Sequence, residues 1–340
     1  MELTIPRPPY DKELGEALKA FKFPSPILPE HIKLFRSAPT TTVEKVLVEP
    51  YKSNSHAEMI VDGPNGPITL SIFTPRTLGP SPVPCIYWMH SGGMITGNRY
   101  GGVHDIWDSG LECNAVVVSV EYRLAPENPD PAPLDDCYAG LEWVASRATE
   151  LGIDSSKIMV AGVSAGGGLA AGITLRSRNL KGPIIYAQCL SCPMLDDRCT
   201  SVSSHQYTNE GTWSRISNLT GWKSLLGNRC GSDEVSIYSA AGRADDLRGL
   251  PQTFIDVGSA EVFRDEAVGY ASALWAAGVQ AELHVWPGGF HCFDSLAPHA
   301  VLSKIAKETR KAWIRRTFCI KPSEASAAQK PLPFTVTDSG

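Results

Sequence analysis

Six short and almost unbroken apolar runs recur along the chain: CIYWMH from Cys85, AVVVSVEY from Ala115, KIMVAGV from Lys157, IIYAQCL from Ile184, TFIDVGS from Thr253 and AELHVWP from Ala281. A strand with one wet face alternates apolar and polar residues, whereas a continuous run suits a strand buried on both faces. Between the runs lie stretches of helical length, such as PLDDCYAGLEWVASRATEL and DEAVGYASALWAAG. Buried strands alternating with helices predict an α/β chain, a mainly parallel sheet with helices on both sides. At 340 residues, 43% hydrophobic and 20% charged, the chain is ordinary for a soluble globular protein with a well-buried core.

The flanking segments read differently. Residues 1–40 predict two short helices, one carrying Leu14, Leu18 and Phe21 at helical spacing and one starting at PEHIKLF. VEKVLVE, AEMIVDG and ITLSIFT, from Val43, Ala57 and Ile68, read as short strands parted by Asn, Pro and Gly. Residues 200–237 are polar, with Trp213 and Trp222 around a short helix. An insertion of that size on an open α/β sheet reads as a lid or specificity element. Its two tryptophans are candidates for a small local core and for the roof of a substrate pocket, one of each. The last twenty residues, 321–340, are rich in Pro, Ser and Ala and are expected to be flexible.

Charge and cysteine usage exclude several classes. A net charge of −5 argues against nucleic acid as the main partner. The basic run KIAKETRKAWIRR, residues 304–316, reads as the wet face of a packed C-terminal helix. Nine cysteines without framework spacing point to reduced thiols and a cytoplasmic location. CLSC, with Cys189 and Cys192, lacks a second CxxC or a paired histidine and reads as two buried strand thiols. No apolar segment of the signal type opens the chain, and no run approaches the ~18 residues of a membrane span.

The stretch MVAGVSAGGGLAAGITL from Met159 packs glycines around one serine between a strand and a helix. Read as a dinucleotide cradle, GGGLAA from Gly166 fits G-x-G-x-x-A, but the acid expected about twenty residues on is missing from YAQCLSC. Read as a nucleophile mount, residues 162–166 form G-x-S-x-G, with Ser164 projected above the sheet by a sharp strand-to-helix turn. The second reading fits better. Serine needs a base and the base an orienting acid. Of eight histidines, His291 in WPGGFHCFD lies in a glycine-rich loop after the last strand. His284 falls within a strand, and His104 and His299 in or beside helices. For the acid, Glu261 lies in the loop after TFIDVG, Asp256 inside that strand, and Asp265 in the first turn of a helix, where a carboxylate is favoured by capping alone. Gly92 and Gly93, in the loop after the strand ending at His90, offer backbone N–H groups to a developing oxyanion.

In this order the motifs closely resemble those of the hormone-sensitive-lipase-like family of α/β-hydrolase esterases, from about residue 55 to 318. The family's His-Gly-Gly-Gly loop appears as residues 90–93, with Ser91 in place of the first loop glycine. Tyr-Arg-Leu-Ala-Pro-Glu is intact at residues 122–127, and the Gly-Asp-Ser-Ala-Gly-Gly elbow appears at 162–167 with Val163 replacing the acid. The acid loop is residues 261–266, with Glu261 for the usual aspartate, and Cys292 follows His291 where the family has glycine. The resemblance implies a serine carboxylesterase acting through an acyl-enzyme, with Ser164, Glu261 and His291 as triad and Gly92, Gly93 and Ala165 as oxyanion donors. It implies short- to medium-chain or compact esters as substrates, no cofactor and no metal. Ser91, Met94 and Val163 are expected about the substrate, with Trp213 and Trp222 as the insertion's two candidates for its roof. The resemblance divides the chain into an N-terminal cap segment (1–50), a core (51–199 and 238–320), a cap insertion (200–237) and a tail (321–340). A homodimer is carried as an expectation. A lactone or natural-product ester hydrolase, or an acyltransferase, would use the same triad; a ligand receptor of the same fold would lack the histidine.

Overall fold

The computed structural model describes residues 5–21, 25–48, 52, 54–76, 78–79 and 81–319; the flexible tail expected at 321–340 lies outside them. Each apolar run contains a strand: β3 (Val83–Met89), β4 (Val116–Glu121), β5 (Ile153–Val163), β6 (Ala187–Ser191), β7 (Gln252–Gly258) and β8 (Ala281–Trp286). Ahead of them, β1 (Ser55–Gly63) and β2 (Gly66–Thr74) form an antiparallel hairpin. The eight strands make one sheet in the order β1-β2-β4-β3-β5-β6-β7-β8. β2 runs antiparallel to β4, and β3 to β8 are parallel.

The apolar runs are unbroken because successive residues enter different cores. Cys85, Tyr87 and Met89 of β3, with Val116 and Val118 of β4, face one core, shared with Leu141 and Leu169. Ile86, Trp88 and Val117 face the other, with Trp107, Trp313 and Ile314. The first side is covered by α5 (Ala132–Ser146), α6 (Ala165–Leu180) and α9 (Arg264–Ala276), the second by α4 (Val103–Glu112) and α11 (Val301–Cys319). Burial on both faces supplies the driving force, at about 25 cal/mol per Å² of apolar surface.

Two segments depart from the sequence reading. VEKVLVE was expected as a strand and instead holds a short helix at Val43–Val46 (α3). Val43, Val46 and Leu47 meet the second core at i, i+3 and i+4, a spacing only a helix presents to one side. The basic run of 304–316 is not simply a wet face: Arg310 is sealed against the sheet, bridging Asp256 and Asp294 at 2.8 Å each. Lys307 and Lys311 pair with Asp105 and Asp108 of α4.

The N-terminal residues and the 200–237 insertion lie together over the C-terminal edge of the sheet. In α1 (Lys12–Ala20), Asp11 caps the N–H groups of Glu13 and Leu14, and its own N–H donates to Gly288 O at 3.0 Å. Leu14 is fully buried against Trp286, Phe290 and Phe293, so the helix packs on the loop that carries His291. From α2 (Ile32–Ser37), Arg36 donates to Ile95 O and Ala125 O. The insertion contributes α7 (Val202–Gln206) and α8 (Arg215–Leu226), and its Ser217 hydroxyl accepts from Ile27 N at 2.8 Å. A last short helix, α10 (Phe293–Leu296), follows the His291 loop.

Candidate active site

Loops leaving the C-terminal ends of β3, β5, β7 and β8 converge at one point, where open α/β sheets form their sites. Ser164 closes the turn from β5 into α6 with φ 58° and ψ −119°, a region that non-glycine residues occupy at a cost of about 1–3 kcal/mol. The turn is tight. A Cβ on Gly162 would lie 2.2 Å from Gly166 O, and one on Gly166 would lie 2.1 Å from Met89 O. Only glycine admits the crossing of strand and helix here.

His291 Nε2 stands 2.9 Å from Ser164 Oγ, and Nδ1 stands 2.5 Å from Glu261 Oε2. The other Glu261 oxygen accepts the Gly258 N–H at 2.9 Å, which fixes the carboxylate plane. Glu261 and His291 are 2% and 6% exposed. The edge of Phe263 packs on the imidazole with ring centroids 5.0 Å apart, and Thr212 Oγ1 donates to His291 O at 2.6 Å. Burial pushes the imidazole pKa down, but the neighbouring Cys192 sulfur and the Glu261 carboxylate push it back above the usual imidazole value. Burial in turn raises the Cys192 thiol well above its usual range. It keeps its proton at neutral pH, so the charge His291 meets there is Glu261.

The other candidates are engaged elsewhere. Asp256 is sealed with Arg310 and Trp286. Asp265 accepts from Arg264 Nε and Ser203 N, both at 2.7 Å, and so ties α9 to α7. His284 stacks on Trp286 and bonds Glu282, while His104 and His299 are exposed.

Gly92 and Gly93 turn beside Ser164 with φ of 124° and 61°. Among the described residues neither N–H donates to a backbone carbonyl. Ala165 opens α6, where a helix leaves its first N–H groups without an internal partner. His90 anchors this loop. It is fully buried, stacked on Tyr122 at 4.1 Å, with Nδ1 2.7 Å from Ser91 O, and burial pushes its pKa down to about 4. It is therefore a neutral brace.

A cavity of about 560 Å³ opens over Ser164 and His291. Ser91, Gly92, Gly93, Trp213 and Cys292 line it, with Leu18, Phe21, Ile27 and Phe35 from the N-terminal segment, and no Asp, Glu, Lys or Arg among the described residues does so. Trp213 presses on the loop: a Cβ on Gly93 would lie 2.2 Å from its ring. Three residues expected at the substrate stand elsewhere. Met94 is fully buried under the loop because its φ of 66° turns the side chain into the core. Trp222 is fully buried on the inner side of α8, among the first-core residues. Val163 lines a separate hollow of about 140 Å³, beyond Cys292 and Ser91. The sequence reading did not pick out Phe35, Ile27 or Thr212 for the cavity wall; Leu18 and Phe21 stood out only as one face of a helix.

Known proteins share this arrangement. Residues 86–295 match the family described as the alpha/beta hydrolase fold. The chain is 34% identical to Esterase LipI of Mycobacterium tuberculosis over 67% of its own length and 71% of the relative's. It is 36% identical to Carboxylesterase NlhH of the same organism, over 63% and 68%. Among solved structures, a bacterial heroin esterase superposes with a TM-score of 0.83 at 35% identity, covering 91% of this chain and 98% of that one. The esterase of Pyrobaculum calidifontis gives a TM-score of 0.77 at 27% identity, over 90% and 98%.

Proposed function

The chain belongs to the alpha/beta-hydrolase fold family, in its hormone-sensitive-lipase-like branch, and is a carboxylic ester hydrolase; on that premise we propose that it cleaves compact, uncharged esters by an acyl-enzyme route through Ser164. The observation that carries this reading is the unbroken relay Glu261–His291–Ser164, opening into a cavity that no Asp, Glu, Lys or Arg among the described residues lines.

His291 takes the Ser164 proton as Oγ attacks the ester carbonyl. The oxyanion is held by the N–H groups of Gly92, Gly93 and Ala165, a reading supported by the left-handed turn at the two glycines and the helix start at Ala165. The imidazolium, oriented by Glu261, protonates the departing alcohol. Water activated by the same imidazole then releases the acid. The N-terminal segment and the insertion act together as a cap, since both furnish walls of the cavity. Cys85, Cys137, Cys189, Cys192, Cys199, Cys230 and Cys292 are free thiols, which supports a reducing, cytoplasmic setting. No described helix is long and apolar enough to cross a membrane.

A cavity of about 560 Å³ lies in the range of compact small-molecule sites, which is the basis for expecting short esters. Turnover of p-nitrophenyl esters with about two to eight carbons should exceed that of the sixteen-carbon ester. Faster cleavage of the palmitate than of the butyrate would contradict the compact-ester reading.

A further inference from the structure

Cys192 pairs not with Cys189, its CxxC neighbour, but with Cys292, a hundred residues on: their sulfurs lie 3.7 Å apart and neither is in a disulfide. Cys292 follows His291 directly, and the two sulfurs and an imidazole nitrogen all lie within 4.8 Å of one another. Cys192 is 6% exposed, whereas Cys292 and His291 line the main cavity, which gives a small ion a way in. A tetrahedral zinc with Zn–S bonds of about 2.3 Å spaces two sulfurs by about 3.8 Å. The spacing here needs almost no movement to meet that edge. Two thiolates and an imidazole select soft or borderline cations over magnesium or calcium, which prefer oxygen. Three protein ligands leave a fourth position for water, facing the cavity.

We infer that Cys192, Cys292 and His291 form an inhibitory binding site for zinc or a similar thiophilic divalent cation. On binding, each thiol releases its proton to solvent, as does the imidazole where it is protonated, so that it ligates in its neutral form. Both imidazole nitrogens are already engaged, Nδ1 with Glu261 and Nε2 with Ser164. A cation on either nitrogen therefore breaks one link of the relay and stops hydrolysis. The inhibition rests on the proposed role of His291; the binding does not.

The test uses the reduced full chain and cobalt(II) as a spectroscopic stand-in for zinc. One equivalent should give thiolate-to-cobalt charge-transfer bands and intense tetrahedral visible bands, both erased by zinc. Ser164→Ala should give the same bands, which separates binding from turnover. Cys192→Ala and Cys292→Gly should each bind at least about tenfold more weakly, since a lost ligand costs no less than a lost outer partner. Glycine suits the left-handed backbone at Cys292, φ 59°, so that variant should keep its fold. Turnover of p-nitrophenyl butyrate by the parent should fall in step with zinc loading and return with EDTA. Absence of thiolate bands in the parent, or parent-like binding in both cysteine variants, overturns the site. Thiolate bands with undiminished turnover overturn the inhibition and His291 as a ligand. A parent that is inactive before any metal is added contradicts the functional reading instead.

Discussion

Glu261 and Asp265 sit four residues apart in one loop-and-helix start, yet their surroundings give them different work. Glu261 faces His291 with one oxygen and the Gly258 N–H with the other; Asp265 faces Arg264 and the insertion. Glu261→Ala should therefore lose on the order of 10⁴ in kcat, the worth of an orienting acid. Asp265→Ala should retain activity and lose roughly 0.5–2 kcal/mol of stability, as for a lost helix-start cap. Steady-state kinetics on the two folded variants checks this; the larger loss at Asp265 would put the acid in the wrong place. The same carboxylate sets the pH dependence. Only neutral His291 accepts a proton, and Glu261 favours the charged form, so the acid limb of kcat/KM should lie above the ordinary imidazole value and rise with pH. Glu261→Gln should move that limb to lower pH. A limb that does not move between parent and variant would show that another group titrates. At this scale the sequence was readable where chemistry forces residue type: a serine between glycines, a histidine and a carboxylate in loops after strands. It was mute on Met94, whose side-chain direction follows from a backbone angle that no spacing records.

α8 and its approach carry two buried tryptophans, of which only Trp213 also lines the cavity. Trp213 precedes the helix, lines the cavity and donates to Asn218 Oδ1 at 3.3 Å. Trp222, two turns into the helix, is fully buried. Trp213→Ala should widen the cavity beside Gly93 and raise the relative rate on bulkier esters, with a smaller fall in Tm than Trp222→Ala. Trp222→Ala should cost about 3–5 kcal/mol, the range for emptying a large aromatic site, and leave substrate preference unchanged. Paired melting curves and ester-size profiles distinguish them; equal destabilisation with no change in preference would make the insertion purely structural. The sequence named both residues but could not order them, because an insertion without strong apolar periodicity does not reveal which side faces the sheet. The misread strand at Val43–Val46 has the same root. A seven-residue stretch with valines at i, i+3 and i+5 fits either period, and packing on the second core decides.

Across the whole molecule, the alternation of buried runs and helices was enough to predict a mainly parallel sheet, since only strands covered on both faces read that way. What the alternation could not supply was the path of the N-terminal segment. Its contacts with Gly288, Gly211 and Ser217 are set by chain closure over the sheet edge, not by local pattern. The consequence is functional, because that segment provides much of the apolar cavity wall above Ser164. Every proposed role, from the relay to the cap, converges on Ser164 as the residue that carries the acyl group. Its most direct test is mass analysis of the intact and digested protein after reaction with a fluorophosphonate. We predict one adduct per chain, on the peptide containing Ser164, in step with loss of p-nitrophenyl butyrate hydrolysis; Ser164→Ala should take no label and lose on the order of 10⁶ in turnover. Label on another residue, or turnover by Ser164→Ala within about tenfold of the parent, far short of the loss expected for a triad nucleophile, would contradict the account.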